Sequence, residues 1–461
     1  MYMFLNNHLC QIMVDESFPT VESLVRAYAV GAADPVKVTR IALARAAEMP
    51  TVFLSVMPER ACAEAEAAAT RWRVGRPRSM LDGVPIAWKD LFDVAGTVTT
   101  GGAAVFRDRA PAVCDAALVA AAARAGMVSI GKTNLSELAF SGLGLNPHFG
   151  TPTNPLLENG ARVPGGSSSG AAVAVATGVV PISIGTDTAG SIRVPSAFNG
   201  LVGYRASTAR YERDGVMPLS TTLDTLGPLA RNVADCVAFD YAVRGVTCPT
   251  GRISLRDCYF IVDPTLFERY RVDAVVERQL LRFVERLAAG GAHIVTRPLA
   301  VLADLHELIE GQGWLGALEA FNRYRGLLDS DDATRLDSRV RVRLERARAI
   351  PAARLTALLD VRAGFIARFA KEMGEATLIA PTVAHVAPLL APLEADPAYF
   401  AEVNLRTLAL TMLGSFLDTP AIAVPSGVDV AGLPTGVQLL RAQGQDDKLL
   451  AVALALEALL F

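Results

Sequence analysis

The chain has 461 residues, of which 51% are hydrophobic and 20% are charged. This composition is typical of a protein with a large buried core and excludes an intrinsically disordered chain. The formal net charge is −3, with both signs interspersed, so the sequence lacks the basic stripe typical of nucleic-acid binding. We therefore expect no nucleic-acid partner.

The cysteines and histidines give no sign of a metal site. The six cysteines share no CxxC spacing and the five histidines form no HxxxH pair, so we expect neither a metal nor another cofactor. Reduced thiols, as in a cytoplasmic protein, are the simplest interpretation. The cysteines are Cys10, Cys62, Cys114, Cys236, Cys248 and Cys258.

Nothing in the sequence predicts a membrane association. The first 16 residues have no basic region followed by a long apolar run, which argues against a signal peptide. The apolar stretch 171–184 is too short, and too rich in glycine and β-branched residues, to span a bilayer. We therefore expect a cytoplasmic location.

The N-terminal part has helical periodicity. Residues 20–48 predict two helices with a break at 31–34, because Pro35 suits the first turn of the second helix. Residues 59–73 predict a third helix, which is rich in alanine, glutamate and arginine.

Short apolar strands alternate with helices over the next hundred residues. Such alternation predicts an α/β fold with a mixed, mostly parallel sheet covered by helices on both faces. The predicted strands are 84–87, 128–130 and 181–184, and the predicted helices are 116–125 and 171–177.

The rest of the chain is predicted to be helical at 272–290 and 302–370, with strands returning at 377–379, 421–424 and 436–440. The arginine-rich run 339–348 is expected to be a solvated helix face rather than a binding patch.

Because no linker or repeat interrupts the sequence, we predict one domain over 1–461. Its expected parts are N-terminal helices at about 18–75, a core at about 80–240, a helical cover at about 270–370 and a C-terminal return to the sheet at about 375–461.

The run 165–203 is the most informative part of the sequence. It gathers glycines and small residues around two serines, Ser167 and Ser191. A serine hydroxyl without a neighbouring histidine needs another base, and a lysine kept neutral by burial can serve. Lys89, at the end of the apolar segment GVPIAWK, is the candidate base. Together these residues predict an acyl-transfer enzyme.

Each candidate also has an ordinary structural interpretation. Ser191 alone could be a turn serine, but the small residues Ala189 and Gly190 let successive N–H groups point at one spot, as an oxyanion requires. Ser167 precedes a helix, as phosphate-binding serines do, yet the run lacks both GxxxxGK[ST] and GxGxxG. Lys89 could be a solvated lysine beside Asp90.

Strand alternation bears on the charged neighbours. Successive side chains of a strand point to opposite faces, so we expect Asp90 to face away from Lys89 and desolvation to lower the lysine pKa. Asp187 and Arg193 flank the Ser191 loop, and we expect them to fix its backbone rather than to act as acid and base.

These segments resemble the amidase signature family. The matching stretches are GVPIAWKDLFDVAG (83–96), GKTNLSELAFSG (131–142), the run 165–203 and GVMPLSTTLDTLGPLARNVAD (215–235), with weaker matches at 380–388 and 432–440. The sequence departs from the family pattern at Ser169, at Ala189 and at 204–206.

The resemblance implies the amidase signature fold and a Ser–cis-Ser–Lys triad for amide hydrolysis through an acyl-enzyme. By position, Lys89 is the base, Ser167 is the bridging serine after a cis peptide bond, and Ser191 is the nucleophile. The implied oxyanion hole consists of the backbone N–H groups of Thr188, Ala189, Gly190 and Ser191. The implied supporting residues are Ser168, Thr186, Asp187 and Arg193.

The resemblance leaves several functions open. A stand-alone hydrolase of small-molecule amides, using water, is the leading hypothesis. The alternatives are a glutaminase subunit of a tRNA-dependent amidotransferase and a ureido-type hydrolase resembling allophanate or carboxybiuret hydrolase. A non-catalytic relative is disfavoured because all three triad positions are present. A homodimer is also left open.

The substrate pocket is expected at 139–145, 310–325 and 380–390. Within the first segment, Phe140, Ser141 and Gly142 are the candidate substrate-binding residues. The aromatic residues Phe140, Trp314 and Phe321 fit an apolar acyl pocket, although aromatics at helical positions are more often ordinary core.

Overall fold

The computed structural model describes residues 20–157, 160–247 and 253–460. The N-terminal stretch that we tested for a signal peptide, together with Cys10 and Cys248, lies outside the described residues. Within the described ranges, eleven strands form one sheet. The strands are β1 (Phe53–Val56), β2 (Pro85–Lys89), β3 (Val128–Thr133), β4 (Ile182–Asp187), β5 (Val202–Arg205), β6 (Thr225–Ala230), β7 (Tyr259–Val262), β8 (His293–Thr296), β9 (Thr377–Pro381), β10 (Ala421–Val428) and β11 (Pro434–Leu440).

The strand order across the sheet is β1-β3-β2-β4-β6-β5-β10-β11-β9-β7-β8. The sheet is mixed, as the sequence predicts, but four of its pairings are parallel and six are antiparallel. The expectation of a mostly parallel sheet therefore needs correction. The antiparallel pairings come mainly from strands that we did not predict, among them β1, β5 and β6.

The central strands are buried because both faces of the sheet are covered. Every residue of β2, β3 and β4 is buried. β2 runs parallel to both of its neighbours, as is typical of strands that are buried on both faces of a sheet. The predicted strand positions at this part of the sheet are confirmed, and each strand extends further toward its C-terminal end.

Most of the helices that periodicity predicted are present in the structure. The described helices are α1 (Val21–Ala29), α2 (Pro35–Ala47), α3 (Pro58–Arg73), α4 (Ala117–Ala125), α5 (Ser169–Ala176), α6 (Arg193–Phe198), α7 (Val233–Arg244), α8 (Thr265–Arg269), α9 (Ala274–Ala289), α10 (Ala300–Gln312), α11 (Leu315–Leu328), α12 (Ser338–Arg348), α13 (Ala352–Met373), α14 (Leu390–Ala395), α15 (Pro397–Phe416) and α16 (Asp446–Leu456). None of these described helices is both long enough and apolar enough to cross a bilayer.

Successive residues of strand β9 belong to two different apolar clusters. Ile379 packs in the cluster that includes α9, whereas Leu378 and Ala380 pack in the cluster that includes α10, α13 and α15. Because successive side chains of a strand point to opposite faces, these clusters lie on opposite sides of the sheet. Helices therefore cover both faces of one large α/β domain.

Candidate active site

Lys89 is the last residue of β2 and is fully buried. Its Nζ lies 2.7 Å from Oγ of Ser167 and 2.8 Å from Oγ1 of Thr186, so it is within hydrogen-bond distance of both. As an ammonium it donates to both hydroxyl groups. As a neutral amine it keeps a lone pair that can accept the Ser167 proton.

Burial determines the protonation of this lysine. It lowers the pKa of Lys89 to about 7, against the opposing effect of the carboxylates of Asp224 and Asp187. Both carboxylates act at a distance, since the hydrogen-bond partners of Nζ are hydroxyl groups. A substantial fraction of Lys89 is therefore neutral at neutral pH, as a general base requires.

Asp90 does not oppose this shift. Its Oδ1 lies 2.6 Å from Nζ of Lys132 on the neighbouring strand β3, and its Oδ2 accepts from the N–H of Thr100. Asp90 thus pairs with a second buried lysine and faces away from Lys89, as strand alternation predicts.

Ser167 lies in the loop before α5, and the Gly166–Ser167 peptide bond is cis. The carbonyl oxygen of Ser167 accepts from the N–H of Ser136, and the N–H of Gly166 donates to the carbonyl of Gly142. Both glycine and serine are therefore held by backbone bonds to the segment 136–142. A Cβ at Gly166 would lie 2.6 Å from the backbone nitrogen of Gly144, so only glycine fits there.

Ser191 lies in the loop between β4 and α6, and 4% of its surface is exposed. Its carbonyl oxygen accepts from the N–H of Ser168 at 3.3 Å, which joins this loop to the loop of the bridging serine. The Oγ of Ser168 in turn donates to the carbonyl of Thr186. The structure thus brings the three triad candidates into one connected set of loops.

Asp187 anchors the Ser191 loop from beneath. Its carboxylate accepts from the backbone N–H groups of Gly190, Ile192 and Arg193, and it forms a fully buried ion pair with the Arg193 guanidinium. Burial alone would raise the pKa of Asp187, but Arg193 and Arg205 outweigh it and lower that pKa to about 2. This pair fixes the backbone of the loop, as expected from the sequence.

One of the four backbone N–H groups expected in the oxyanion hole, that of Gly190, has another acceptor. The Gly190 N–H donates to Oδ1 of Asp187 at 2.8 Å, so it is committed to the anchor and not to an oxyanion. Among the described residues, the N–H groups of Thr188, Ala189 and Ser191 have no acceptor. The hole that we infer is therefore formed by these three groups.

Two residues that we did not single out hold the same loop. Thr411, on α15, donates its hydroxyl to the carbonyl of Ala189 and packs against Gly190. Asp224 accepts from the hydroxyl of Thr188 and from the N–H groups of Leu219 and Ser220. Asp224 lies in the matched stretch 215–235, so the sequence contained a hint of its role. Thr411 lies in a segment without any matched motif.

Ser191 opens onto a small cavity of about 90 Å³. Its walls are mostly apolar, with a few polar groups that come from four separate segments. The lining residues are Ala139, Phe140, Ser141, Thr188, Ala189, Ser191, Leu219, Trp314, Gly316, Ala317, Arg343, Asn404, Leu405, Leu408 and Met412.

Part of the expected pocket lines this cavity, and its role in substrate binding stays a prediction. Phe140, Ser141 and Trp314 line it, whereas Gly142 supports it from behind, with its N–H donating to Oδ1 of Asn404. Phe321 and the segment 380–390 do not contribute to the cavity wall, and the Phe321 ring lies instead beneath the guanidinium of Arg348.

The segments that replace the expected wall are α15 and α12. Asn404, Leu405, Leu408 and Met412 come from α15, at the spacing of one helix face, and Arg343 comes from α12. The expectation that the run 339–348 is only a solvated face is therefore wrong at Arg343. Arg343 lies on the same side of the helix as the buried Val340, Leu344 and Ala347. This spacing in the sequence could have placed it on the inward-facing side.

No group of three or more His, Cys, Asp or Glu side chains is placed to hold a metal ion within residues 20–157, 160–247 and 253–460. In the same ranges, Cys62, Cys114, Cys236 and Cys258 form no disulfide bond. A reaction without metal chemistry stays a prediction.

Comparison with known proteins agrees with this geometry. The Amidase family model matches residues 37–250 and 261–450. The 2-amino-5-chloromuconic acid deaminase of Comamonas testosteroni is 32% identical over 416 residues, which cover 87% of each chain. A glutamyl-tRNA(Gln) amidotransferase subunit of Pseudomonas entomophila is 31% identical over 439 residues, which cover 87% of this chain and 88% of the relative.

A solved structure described as an amidase has the same fold. It superposes with a TM-score of 0.83 at 29% sequence identity, covering 96% of this chain and all of the other. The similarity therefore includes both the matched motifs and the intervening helices that build the cavity wall.

Proposed function

Since the chain belongs to the amidase signature family, we propose that this enzyme hydrolyses the C–N bond of a small carboxamide through an acyl-enzyme on Ser191. The observation that carries the proposal is the connection from Lys89 through Ser167 toward the Ser191 loop. Burial makes Lys89 a usable base, and Ser167 is its hydrogen-bond partner. Ser191 lies on the cavity that would hold the substrate.

In the first half-reaction, Oγ of Ser191 attacks the amide carbon while its proton passes through the hydroxyl of Ser167 to Nζ of Lys89. The negative charge that develops on the carbonyl oxygen is stabilised by the N–H groups of Thr188, Ala189 and Ser191. The C–N bond then breaks, the leaving nitrogen takes the proton back from Lys89, and ammonia or an amine departs. The acyl group remains as an ester of Ser191.

Water completes the reaction. It attacks the ester carbon while its proton passes by the same route to Lys89. The ester C–O bond breaks, Ser191 regains a proton and the carboxylic acid leaves. No residue besides the lysine and two serines needs to change its protonation state in this sequence.

The environment of the enzyme is part of the same proposal. Unpaired cysteines among the described residues support a cytoplasmic location, where thiols remain reduced. We also propose that the enzyme acts on small molecules without a nucleic-acid partner, because the net charge of −3 provides no basic stripe. A homodimer is compatible with this proposal and is tested by sedimentation of the purified protein.

The direct experiment is a screen for ammonia release by the purified chain. Aliphatic, aryl and ureido amides are assayed together with glutamine, and each substrate is assayed in parallel with Ser191→Ala. Turnover of at least one small amide by the wild type, lost in the variant, supports the proposal. Purified protein that releases no ammonia or amine from any of these classes contradicts it.

The glutaminase component of a tRNA-dependent amidotransferase remains the second candidate, because a relative of 31% identity is named as part of such an enzyme. It predicts activity on glutamine alone among the amides, together with copurification of partner chains. A ureido-type hydrolase predicts that the ureido amides are hydrolysed best. The same screen therefore separates all three functions.

A further inference from the structure

Arg343 is a charged residue on the cavity wall that the triad chemistry does not use. It lies on α12 and shares a helical stripe with the buried residues Val340, Leu344 and Ala347. Two of the four other arginines on this helix pair with carboxylates. Arg339 pairs with Asp337, and Arg348 pairs with Asp329 and Glu345.

No carboxylate in the described part of the chain pairs with Arg343. Its Nη1 donates to the carbonyl oxygen of Phe140, and its guanidinium carbon lies 4.3 Å from the centroid of the Phe140 ring. A guanidinium has five N–H donors, so this single bond leaves most of them unused. The stacking and the bond together fix the guanidinium plane at the cavity.

The charge of Arg343 persists although the side chain is half-buried. Burial, together with the neighbouring charge of Arg346, lowers the pKa of Arg343 to about 10, which still leaves the group protonated at neutral pH. Arg343 is half-buried and has no carboxylate partner among the described residues, so a ligand carboxylate in the cavity can pair with it. A planar guanidinium also matches the two oxygens of a carboxylate.

A second donor lies on the same wall. Oδ1 of Asn404 accepts from Oγ of Ser141 and from the N–H of Gly142, which directs the amide nitrogen of Asn404 away from both. That nitrogen has no partner among the described residues, and Asn404 lines the cavity. The remaining wall, from Trp314, Leu408 and Met412, is apolar.

We propose that the substrate is a carboxylate-bearing amide, a monoamide of a short dicarboxylic acid, whose carboxylate is bound by Arg343 while its amide carbon lies at Ser191. The proposal rests on the amide hydrolysis proposed above. The small cavity, of about 90 Å³, favours a short chain of carbons between the two groups, and the apolar wall contacts that chain. The amide nitrogen of Asn404 donates to the same carboxylate.

The test compares matched acid and neutral amides. Succinamic acid and 4-oxopentanamide have nearly the same shape, because a methyl group replaces one carboxylate oxygen. We expect wild-type kcat/KM to be at least about 30-fold higher for succinamic acid. We expect Arg343→Gln to lower kcat/KM for succinamic acid at least about tenfold, and for the neutral amide less than about threefold.

The control variant is Arg341→Gln, on the same helix but off the cavity wall, which should leave both substrates unaffected. Arg343→Lys should restore only part of the preference, since an ammonium cannot bind both carboxylate oxygens in the same way. Equal wild-type kcat/KM for the two amides would overturn the proposal. An equal loss for both amides in Arg343→Gln would overturn it as well, because that result indicates a structural role.

A binding measurement separates this inference from the proposed reaction. Succinate is the product of the acid substrate, and its dissociation constant is measured by calorimetry on the intact protein, without any turnover. We expect succinate to bind the Ser191→Ala variant, and we expect its dissociation constant to rise at least about tenfold when Arg343→Gln is added. If no amide is hydrolysed but succinate binds through Arg343, the reaction is wrong and the anion site stands. Hydrolysis of neutral amides without succinate binding leaves the reaction standing and overturns the anion site.

Discussion

Nζ of Lys89 lies 2.7 Å from Oγ of Ser167, although the two residues are 78 positions apart in the sequence. The contact is made at the end of β2, where a fully buried strand delivers the lysine to the loop before α5. A lysine at this position can accept a proton only if it is neutral. Its burial supplies that condition, and the pH dependence of the reaction follows from it.

Activity should rise with pH through the ionisation of Lys89. Burial lowers the pKa of Lys89 to about 7, and the neutral form is the active base. kcat/KM for a neutral amide should therefore be low below pH 6, increase through about pH 7 and level off at higher pH. The measurement is a pH–rate profile, with the amide kept far below KM.

Substitutions of Lys89 distinguish a base from a simple positive charge. Lys89→Met removes the base, and Lys89→Arg keeps a charge that stays protonated at all accessible pH values. We expect both to lose at least about 10³-fold in kcat/KM. Substantial activity in Lys89→Arg with an unchanged pH profile would mean that Lys89 acts electrostatically and that another residue is the base.

Removing the anchor of the nucleophile loop should cost both stability and activity. Asp187→Ala leaves Arg193 as an unpaired buried cation and frees three backbone N–H groups, so we expect a loss of about 3–5 kcal/mol in the free energy of unfolding. Asp304→Asn is the control, because the half-exposed pair of Asp304 with Arg368 should contribute less than about 1 kcal/mol. Urea unfolding measures both. A loss in Asp187→Ala no larger than that of the control would contradict the assigned role.

The carboxylate of Asp187 should also make the free energy of unfolding depend on pH at low pH. The pKa of Asp187 is about 2 in the folded protein, below the value of about 3.9 for an unfolded chain. Its stabilising contribution is therefore complete above pH 4 and is lost as pH falls through about 2. We expect Asp187→Asn to show a weaker dependence of melting temperature on pH between 4 and 2 than the wild type. Identical slopes for the two proteins would disprove this linkage.

Thr411 should affect kcat more than KM. Its hydroxyl donates to the carbonyl of Ala189, which fixes the Ala189–Gly190 peptide between two of the N–H groups that we assign to the oxyanion hole. We expect Thr411→Ala to lower kcat about 10- to 100-fold with little change in KM, since small displacements of catalytic groups cost about this much. Thr411→Ser keeps the hydroxyl and should retain most of the activity. Equal losses in both variants would point to packing rather than to the hydrogen bond.

Activity should be independent of metal ions. The proposed reaction uses a lysine and two serines, and no metal-binding group of side chains is found in the part of the chain that the structure describes. Exhaustive dialysis against a chelator should leave kcat/KM unchanged. A proportional loss that zinc restores would require a different mechanism.

The sequence predicted the centre of the sheet and the triad positions more completely than it predicted the cavity. Strands β2, β3 and β4 are fully buried, and apolar residues in their first halves, such as Ile86, Ile130 and Ile184, are visible in the sequence. Strand β6 was missed, since a glycine and a proline interrupt its apolar pattern. Its two antiparallel pairings, together with those of β1 and β5, make the sheet less parallel than expected.

The cavity wall depends on contacts between distant segments. Asn404 and Thr411 lie more than 200 positions from the loops that they hold, and no local pattern reports such a contact. Arg343 is different, because its spacing with Val340, Leu344 and Ala347 places it on a buried stripe. The arginine-rich composition of this helix indicates a solvated face, and only the spacing of Arg343 indicates a position on the cavity wall.

The most direct test of the central proposal is the identity of the acylated residue. The enzyme is quenched with acid during turnover of the best amide from the screen, digested, and its peptides are analysed by mass spectrometry. We predict a mass increase equal to the acyl group on the peptide that contains Ser191, with no such increase and at least about 10³-fold less ammonia release in Ser191→Ala. Ser169→Ala, whose hydroxyl faces the carbonyl of Asn134, should keep both adduct and activity. Ammonia release by Ser191→Ala at a rate near that of the wild type, or an acyl adduct on another residue, would contradict the assignment of Ser191 as the nucleophile.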